Sequence, residues 1–87
     1  MFSNKEKRLM DKPYFIVVRE TEQFIEVISK STNHCWIVFK NVYSKKPITL
    51  YHKHSVEAPY YHRHYETYSV TAAVNSIKSH DKYVLKT

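Results

Sequence analysis

Histidine and tyrosine side chains are concentrated in one stretch of the sequence, YHKHSVEAPYYHRHYETY, residues 51–68. This stretch holds four of the six histidines and five of the eight tyrosines. The histidines form two His-x-His pairs, His52 with His54 and His62 with His64. Imidazole, phenol and cationic groups can bind a metal ion, transfer protons, contact nucleic acid or anchor a protein interface. We therefore take this stretch as the candidate functional region.

The two His-x-His pairs could form a metal site. Residues two positions apart in a strand point to the same side, so His52 and His54 could contact one ion. His62 and His64 could then supply the other two corners of a tetrahedral site, and imidazole ligands suit zinc, nickel or copper. His-x-His pairs on exposed strands also occur without a metal. We therefore expect no resident cofactor, and name these four histidines as the ligands if an ion does bind.

Acid–base catalysis is a second interpretation of the same stretch. A histidine with an ordinary pKa of about 6.5 can carry protons at neutral pH. Lys53 or Arg63 could stabilise a phosphorane-like transition state. No base and nucleophile have a diagnostic spacing, so we name no catalytic residue. A small His-dependent or metal-dependent nuclease or toxin-like enzyme is the alternative function.

Binding without chemistry is the interpretation that we favour. Tyrosine and histidine rings can stack on bases, lysine and arginine contact phosphates, and the same residue types anchor protein interfaces. The predicted binding patch consists of Tyr51, His52, Lys53, His54, Tyr60, Tyr61, His62, Arg63, His64 and Tyr65. The remaining interpretation is a polar connection in which the rings only bridge the sheet and a helix.

Charge and composition favour an anionic partner. The chain of 87 residues carries 14 Lys and Arg against 8 Asp and Glu, a net charge of +6. Such a surplus is typical of proteins that bind nucleic acid, a nucleotide or an acidic protein surface. Glycine is absent, which excludes a Walker loop and a dinucleotide-binding fingerprint, because both need glycines beside the phosphates.

The elements that must position these side chains are strands. Apolar and β-branched runs predict strands of an antiparallel meander over residues 14–20, 23–30, 34–40 and 47–54. In the last of these, the histidines alternate with Tyr51 and Lys53. Residues 56–66 have no clear period, so we expect a loop or an irregular edge strand there. The sequence predicts an antiparallel sheet of three to four strands.

A C-terminal helix is predicted to pack on one face of this sheet, which gives an α+β fold. Its apolar stripe consists of Val70, Ala73, Val74 and Ile77. The helix should end near residues 79–82, with the YVLK segment packing back or forming a short strand. Residues 1–13 form a basic arm or a short helix that ends at Pro13. Residues 14–87 form a single small domain.

Four residues outside the stretch are expected to have structural roles. Cys35 is the only cysteine, so a disulfide within the chain and a Cys-type zinc cluster are excluded. Cys35 and Trp36 lie in an apolar run and should be buried. His34 follows a predicted turn, and His80 ends the predicted helix, where a protonated ring would interact favourably with the helix dipole.

These features together predict a small, basic, cytoplasmic and non-enzymatic binding protein. Its partner would be nucleic acid or a host nucleic-acid-binding protein. Residue types with AT-rich codons outnumber those with GC-rich codons, which indicates a low-GC bacterium, its phage or a mobile element. A regulator or inhibitor of a nuclease or a defence system fits such an origin. We expect no membrane partner, because no run approaches the ~20 apolar residues of a membrane span. An exposed edge strand would allow a homodimer.

Overall fold

The fold is a five-stranded antiparallel sheet with two helices on one side. The computed structural model describes residues 1–11 and 13–86, so that Lys12, in the predicted basic arm, and Thr87 lie outside the described residues. The strands follow sequence order across the sheet: β1 Phe15–Glu20, β2 Phe24–Ser29, β3 Cys35–Lys40, β4 Ile48–Lys53 and β5 His62–Thr67. Helix α1 spans Asn4–Leu9 and helix α2 spans Val70–Lys86.

The strand count corrects the sequence prediction of three to four strands. The α+β class and the antiparallel sheet are confirmed. Of the two alternatives for residues 56–66, a loop or an irregular edge strand, the second holds for residues 62–66, which lie in β5 and pair with β4, so the count is five. Only Thr67 of β5 is buried, and a bulge at His64 interrupts the alternation of side chains. A strand exposed along its length has no hydrophobic period by which it can be recognised.

Helix α2 is longer than the sequence predicts. It continues through residues 79–82 to Lys86, so the YVLK segment is helical and not a strand. Asp81 explains the extension, because its buried carboxylate accepts hydrogen bonds from the hydroxyls of Tyr14 (2.6 Å) and Thr32 (3.1 Å). These bonds hold the second half of the helix against the sheet. Among residues 1–11 and 13–86, neither helix is long and apolar enough to cross a membrane.

The core lies between the sheet and the helices. It includes Phe2, Met10, Phe15, Ile25, Val27, Trp36, Val38, Ile48, Leu50, Val70, Ala73, Val74 and Ile77. The stripe predicted on α2 is buried as expected, and so are Trp36 and Cys35. Full burial of one large apolar side chain contributes about 1.5–3 kcal/mol. The core is therefore the main source of stability in this small domain.

The short helix α1 is held by its cap and by its flanking residues. The Ser3 hydroxyl accepts a hydrogen bond from the Glu6 N–H, and the Glu6 carboxylate accepts one from the Ser3 N–H. Lys40 Nζ lies 2.9 Å from the same carboxylate. Phe2 and Met10, on either side of the helix, are buried in the core. A helix of six residues is not stable alone, so these contacts are what fix it.

Each outer strand of the sheet contains a bulge. Val18 is the extra residue in β1, where Val17 and Arg19 pair with consecutive residues of β2. His64 is the extra residue in β5, opposite the step from Leu50 to Tyr51 in β4. A bulge adds one residue to a strand and increases its local twist. In β5 this residue places two successive side chains, not one, on the helix side of the sheet.

Candidate metal centre

All six histidines of the chain come together around His52 on the helix side of the sheet. The centre of the His52 ring lies 5.1 Å from that of His34, 4.9 Å from His54, 5.7 Å from His62 and His64, and 4.6 Å from His80. We call these six residues the histidine cluster. His52 is its buried centre, with 2% of its surface exposed.

Strand register brings most of the histidine cluster together. His52 pairs with Trp36 on one neighbouring strand and with His62 on the other. His54 and His34 lie two residues from His52 and Trp36, so alternation puts their side chains on the same side of the sheet. The two His-x-His pairs therefore meet because β4 and β5 are adjacent and in register.

Two further members reach the histidine cluster by other routes. His64 is the bulged residue of β5, and its ring lies 5.7 Å from that of His80. His80 is three residues beyond Ile77 on α2, which continues the buried stripe of that helix. Asp81, anchored to Tyr14 and Thr32, fixes the turn of the helix that carries His80.

Three histidines offer ring nitrogens close enough for one metal ion. His34, His52 and His54 each contribute one ring nitrogen, and these three nitrogens lie within 4.8 Å of one another. Nδ1 of His34 is 3.0 Å from Nε2 of His52, so that one ring donates a hydrogen bond to the other. Two nitrogen ligands of a tetrahedral zinc ion, each at 2.0–2.1 Å, are about 3.3 Å apart. The pair would need to open only slightly to hold an ion. We call these three residues the donor trio.

Burial favours the neutral form of His34, His52, His64 and His80. Burial, followed by the charges of the surrounding histidines, lowers the pKa of His52 to about 3. The pKa values of His34, His64 and His80 are also lowered, in each case chiefly by burial. Asp81 opposes this effect at His34 and His80. The neutral ring is the form that binds a metal ion, so the lone pairs of His34 and His52 are available at neutral pH.

The indole of Trp36 fixes the plane of the central ring. It stacks on His52 with 4.0 Å between ring centres and 25° between planes. The ring of His80 lies near both, 5.1 Å from the indole centre and 4.6 Å from that of His52. Its Nδ1 is buried and has no hydrogen-bond partner among the residues that the structure describes. A buried polar atom without a partner costs about 1–3 kcal/mol. His80 therefore presents an unused nitrogen within the histidine cluster.

The predicted binding patch is divided between the two sides of the sheet. Its imidazoles lie on the helix side, in the histidine cluster. Tyr51 and Lys53 alternate with His52 and His54 along β4 and just beyond it, and lie on the opposite side. Tyr61 and Arg63, on either side of His62, also lie there: Arg63 pairs with Tyr51, and Lys53 Nζ lies 4.8 Å from the centre of the Tyr61 ring. The patch therefore forms two surfaces and not one.

The other two tyrosines of the patch lie away from both surfaces or at their margin. Tyr60, in the loop before β5, has 82% of its surface exposed. Tyr65 lies at the edge of the helix side, where its ring stacks on that of His64 with 6.3 Å between centres. The binding role of all ten residues stays a prediction.

The donor trio differs from the four ligands named from the sequence. His52 and His54 belong to it, whereas His62 and His64 lie in the histidine cluster but outside the trio. His34 takes the third position, although the sequence suggests only a structural role for it. His34 lies two residues before Trp36, and the strand of Trp36, β3, is next to β4. This spacing is the signal that could have identified His34.

Cys35 takes no part in the histidine cluster. It is buried on the opposite side of the sheet, and burial raises the pKa of its thiol. A protonated thiol is a poor metal ligand and a poor nucleophile. The chemistry of the site therefore depends on imidazoles.

Known proteins give no independent indication of what the histidine cluster does. No protein-family model matches the sequence, and no curated protein or solved structure matches it.

Proposed function

We propose that this protein binds a divalent transition-metal ion, zinc, nickel or copper, at the histidine cluster. The observation that carries the proposal is the convergence of ring nitrogens from His34, His52 and His54 within 4.8 Å. Sets of neutral imidazoles, without thiolates or carboxylates, suit these three metals. Affinity should be highest for copper(II), since its complexes with nitrogen ligands are more stable than those of nickel or zinc.

The donor trio would leave one coordination position for water or for a fourth side chain. Zinc bound by three protein ligands commonly completes a tetrahedron with water. His80 is the candidate for a fourth ligand, because its ring centre is 4.6 Å from that of His52 and its buried Nδ1 is unpaired among the described residues. An ion held in this way would connect the residue before β3, the end of β4 and helix α2.

The arrangement of side chains favours a metal-binding function over metal-dependent hydrolysis. A metal-bound water attacks most effectively when a general base accepts its proton. The two carboxylate oxygens of Asp81, which adjoins His80 in sequence, are engaged by the hydroxyls of Tyr14 and Thr32. The metal-dependent nuclease therefore stays the alternative prediction. Inhibition of a host nuclease also stays a prediction.

Tryptophan fluorescence provides a direct test. Trp36 is the only tryptophan and stacks on the ring of His52, so its emission should report an ion in the histidine cluster. The full chain, freed of metal with a chelator, is titrated with Cu²⁺, Ni²⁺ and Zn²⁺. We expect saturable binding of one ion per chain. Mg²⁺ should have no effect, because it prefers oxygen ligands in octahedral geometry.

Two matched histidine variants test the assignment of the donor trio. His54→Gln removes an exposed member of the trio, and His62→Gln removes an exposed histidine outside it. Loss of a residue that only orients a metal ligand weakens affinity about 10–100-fold. Loss of His54 should therefore weaken it at least about tenfold, and loss of His62 much less. Equal losses would show the trio to be wrong. The proposal itself fails if the three ions bind no better than Mg²⁺.

A further inference from the structure

The side of the sheet opposite the helices forms a second surface that the histidine cluster does not use. Its aromatic residues include Phe24, Phe39, Tyr51 and Tyr61, and its cations are Arg19, Lys53 and Arg63. The Lys53 ammonium donates hydrogen bonds to the carbonyls of Val56 and Ala58, so the two arginines are the cations that remain for a ligand. We call this surface the open face. Both helices and the apolar core lie on the other side, so neither helix covers the open face.

Strand register places an arginine at each margin of the open face. Arg19, Glu26, Ile37, Tyr51 and Arg63 pair in succession and form one row across all five strands. Adjacent strands are 4.7–4.9 Å apart, so the backbones of the two arginines are about 19 Å apart. Their side chains are 63% and 66% exposed. The spacing suits an extended chain of negative charges that crosses the strands.

Aromatic rings occupy the strands between the two arginines. Phe39 on β3 pairs with Thr49, two residues before Tyr51 on β4. Side chains in this diagonal relation are about 7–8 Å apart, so the two rings are near neighbours. Phe24, on β2, pairs with Phe39, and the rings of Phe24, Phe39 and Tyr51 are all half-buried. The rings are thus packed at their base and accessible from solvent, as a stacking surface requires.

The charges of the open face favour an anionic partner. The acidic residues Glu26 and Glu66 each lie near one arginine, at 3.7 Å from Arg19 and at 4.0 Å from Arg63. Glu26 is only 17% exposed and also accepts a hydrogen bond from the Tyr61 hydroxyl at 2.7 Å. Arg63 and Glu66 form an exposed ion pair, and such pairs contribute 1 kcal/mol or less. In the other pair, the distance of 3.7 Å leaves the exposed Arg19 guanidinium accessible. A phosphate can therefore compete for each guanidinium, and the net charge of +6 attracts it.

We infer that the open face binds single-stranded nucleic acid. Bases would stack on Phe39 and Tyr51, and phosphates would contact Arg19 and Arg63. A duplex hides the flat surfaces of its bases, whereas a single strand exposes them. The inference is independent of the metal proposal, since it uses the tyrosine and arginine part of the predicted patch and none of its imidazoles.

Fluorescence anisotropy of labelled oligothymidylate and oligouridylate tests the electrostatic part of the inference. The full chain is used with a chelator present, over a series of salt concentrations. Arg19→Gln combined with Arg63→Gln should weaken binding and lower the slope of log affinity against log salt by about 1.4, since each lost phosphate contact removes about 0.7. The matched control combines Lys5→Gln with Arg8→Gln, which removes two exposed cations from α1. This control should leave the slope nearly unchanged.

Two substitutions of Tyr51 test the stacking part. Tyr51→Leu keeps an apolar side chain but removes the ring, and should weaken affinity about fivefold to 100-fold. Tyr51→Phe keeps the ring and should stay within about twofold of the parent chain. Circular dichroism of both variants checks that the fold is retained.

Several results would overturn the inference. The α1 control could weaken binding as much as the arginine variant does, or duplex DNA could bind as tightly as a single strand. Loss of the Tyr51 ring could leave affinity unchanged. Sedimentation could show a dimer that Tyr51→Leu dissociates, which would assign the open face to a second copy of the chain. Tight binding of an acidic protein without any binding of oligonucleotides would assign it to a protein partner.

Discussion

His52 differs from the other five histidines in being buried on all sides. Its ring stacks on the Trp36 indole and shares a hydrogen bond with the ring of His34, and burial lowers its pKa to about 3. Such a residue is held neutral and oriented before any ligand arrives. An exposed histidine would have to lose side-chain freedom on binding, at a cost of up to about 1–2 kcal/mol. His52 is therefore the residue on which the proposed metal affinity depends most.

At the same scale, Tyr14 should make stability sensitive to alkaline pH. Burial, together with the hydrogen bond to Asp81, raises the pKa of Tyr14 to about 12 from its ordinary value of 10.0. The folded chain thus holds the proton more tightly than the unfolded chain does. The contribution of Tyr14 to the free energy of unfolding is fully present below pH 10 and is lost as the pH rises through about 12.

The variant Tyr14→Phe isolates this contribution. A hydrogen bond to a charged group contributes about 1.5–3 kcal/mol, so the variant should be less stable by about that amount at pH 8. The difference between the two chains in urea unfolding should shrink towards pH 12. Tyr83→Phe, on an exposed tyrosine of α2, serves as the control and should change little. A difference that stays constant from pH 8 to pH 12 would contradict the prediction.

At the scale of elements, alternation along β4 could be predicted from the sequence, and so could the place of His52 and His54 on one side of it. Tyr51 and Lys53 follow on the other side by the same rule. The equivalent division in β5 could not be predicted, because an exposed strand with a bulge has no readable period. His34 and His80 join the histidine cluster through contacts between elements that are distant in sequence. The six-residue cluster is therefore a product of tertiary structure.

The end of α2 was mispredicted for a similar reason. Asp81 would be an unfavourable residue on a buried stripe if it were considered alone. Its partners, Tyr14 and Thr32, lie 67 and 49 residues earlier in the chain. A local pattern cannot show that a buried carboxylate will be satisfied by such partners. The apolar stripe of the helix, by contrast, is a local feature, and its prediction is confirmed.

The capping box of α1 gives a prediction about a single element. Ser3→Ala removes the hydroxyl that accepts the Glu6 N–H, and should lower the free energy of unfolding by about 1 kcal/mol. For a domain of this size, that corresponds to a fall of about 4–8 °C in the unfolding midpoint. Ser44→Ala, in the exposed loop before β4, is the matched control and should leave the midpoint nearly unchanged. Equal effects of the two substitutions would show that the cap contributes nothing specific.

At the scale of the whole molecule, the sheet separates two proposed binding surfaces. The histidine cluster lies on the helix side and the open face on the other, with Trp36 and Tyr51 on adjacent strands pointing in opposite directions. The two surfaces share a backbone but no side chain. A metal ion and a nucleic acid could therefore bind at the same time. A substitution that abolishes one kind of binding should leave the side chains of the other surface in place.

Metal binding should stabilise the entire fold. The ligands converge only in the folded chain, so an ion at about 100 times its dissociation constant should add about 2.7 kcal/mol to the free energy of unfolding. The thermal midpoint should rise by about 10 °C or more. Circular dichroism melts with Zn²⁺ or with a chelator measure this change, and Mg²⁺ serves as the control. An unchanged midpoint at saturating Zn²⁺ would mean that the ion binds the unfolded chain equally well.

The bulges at Val18 and His64 have a consequence for solutions of high concentration. Both outer strands are bent and twisted at these residues, so neither presents a straight row of backbone donors and acceptors. Such edges are poor templates for addition of a strand from another molecule. Edge-to-edge pairing, the route to the predicted homodimer, is disfavoured by this geometry. The same bends should protect the aliphatic segment IVV of β1 from nucleating amyloid fibrils.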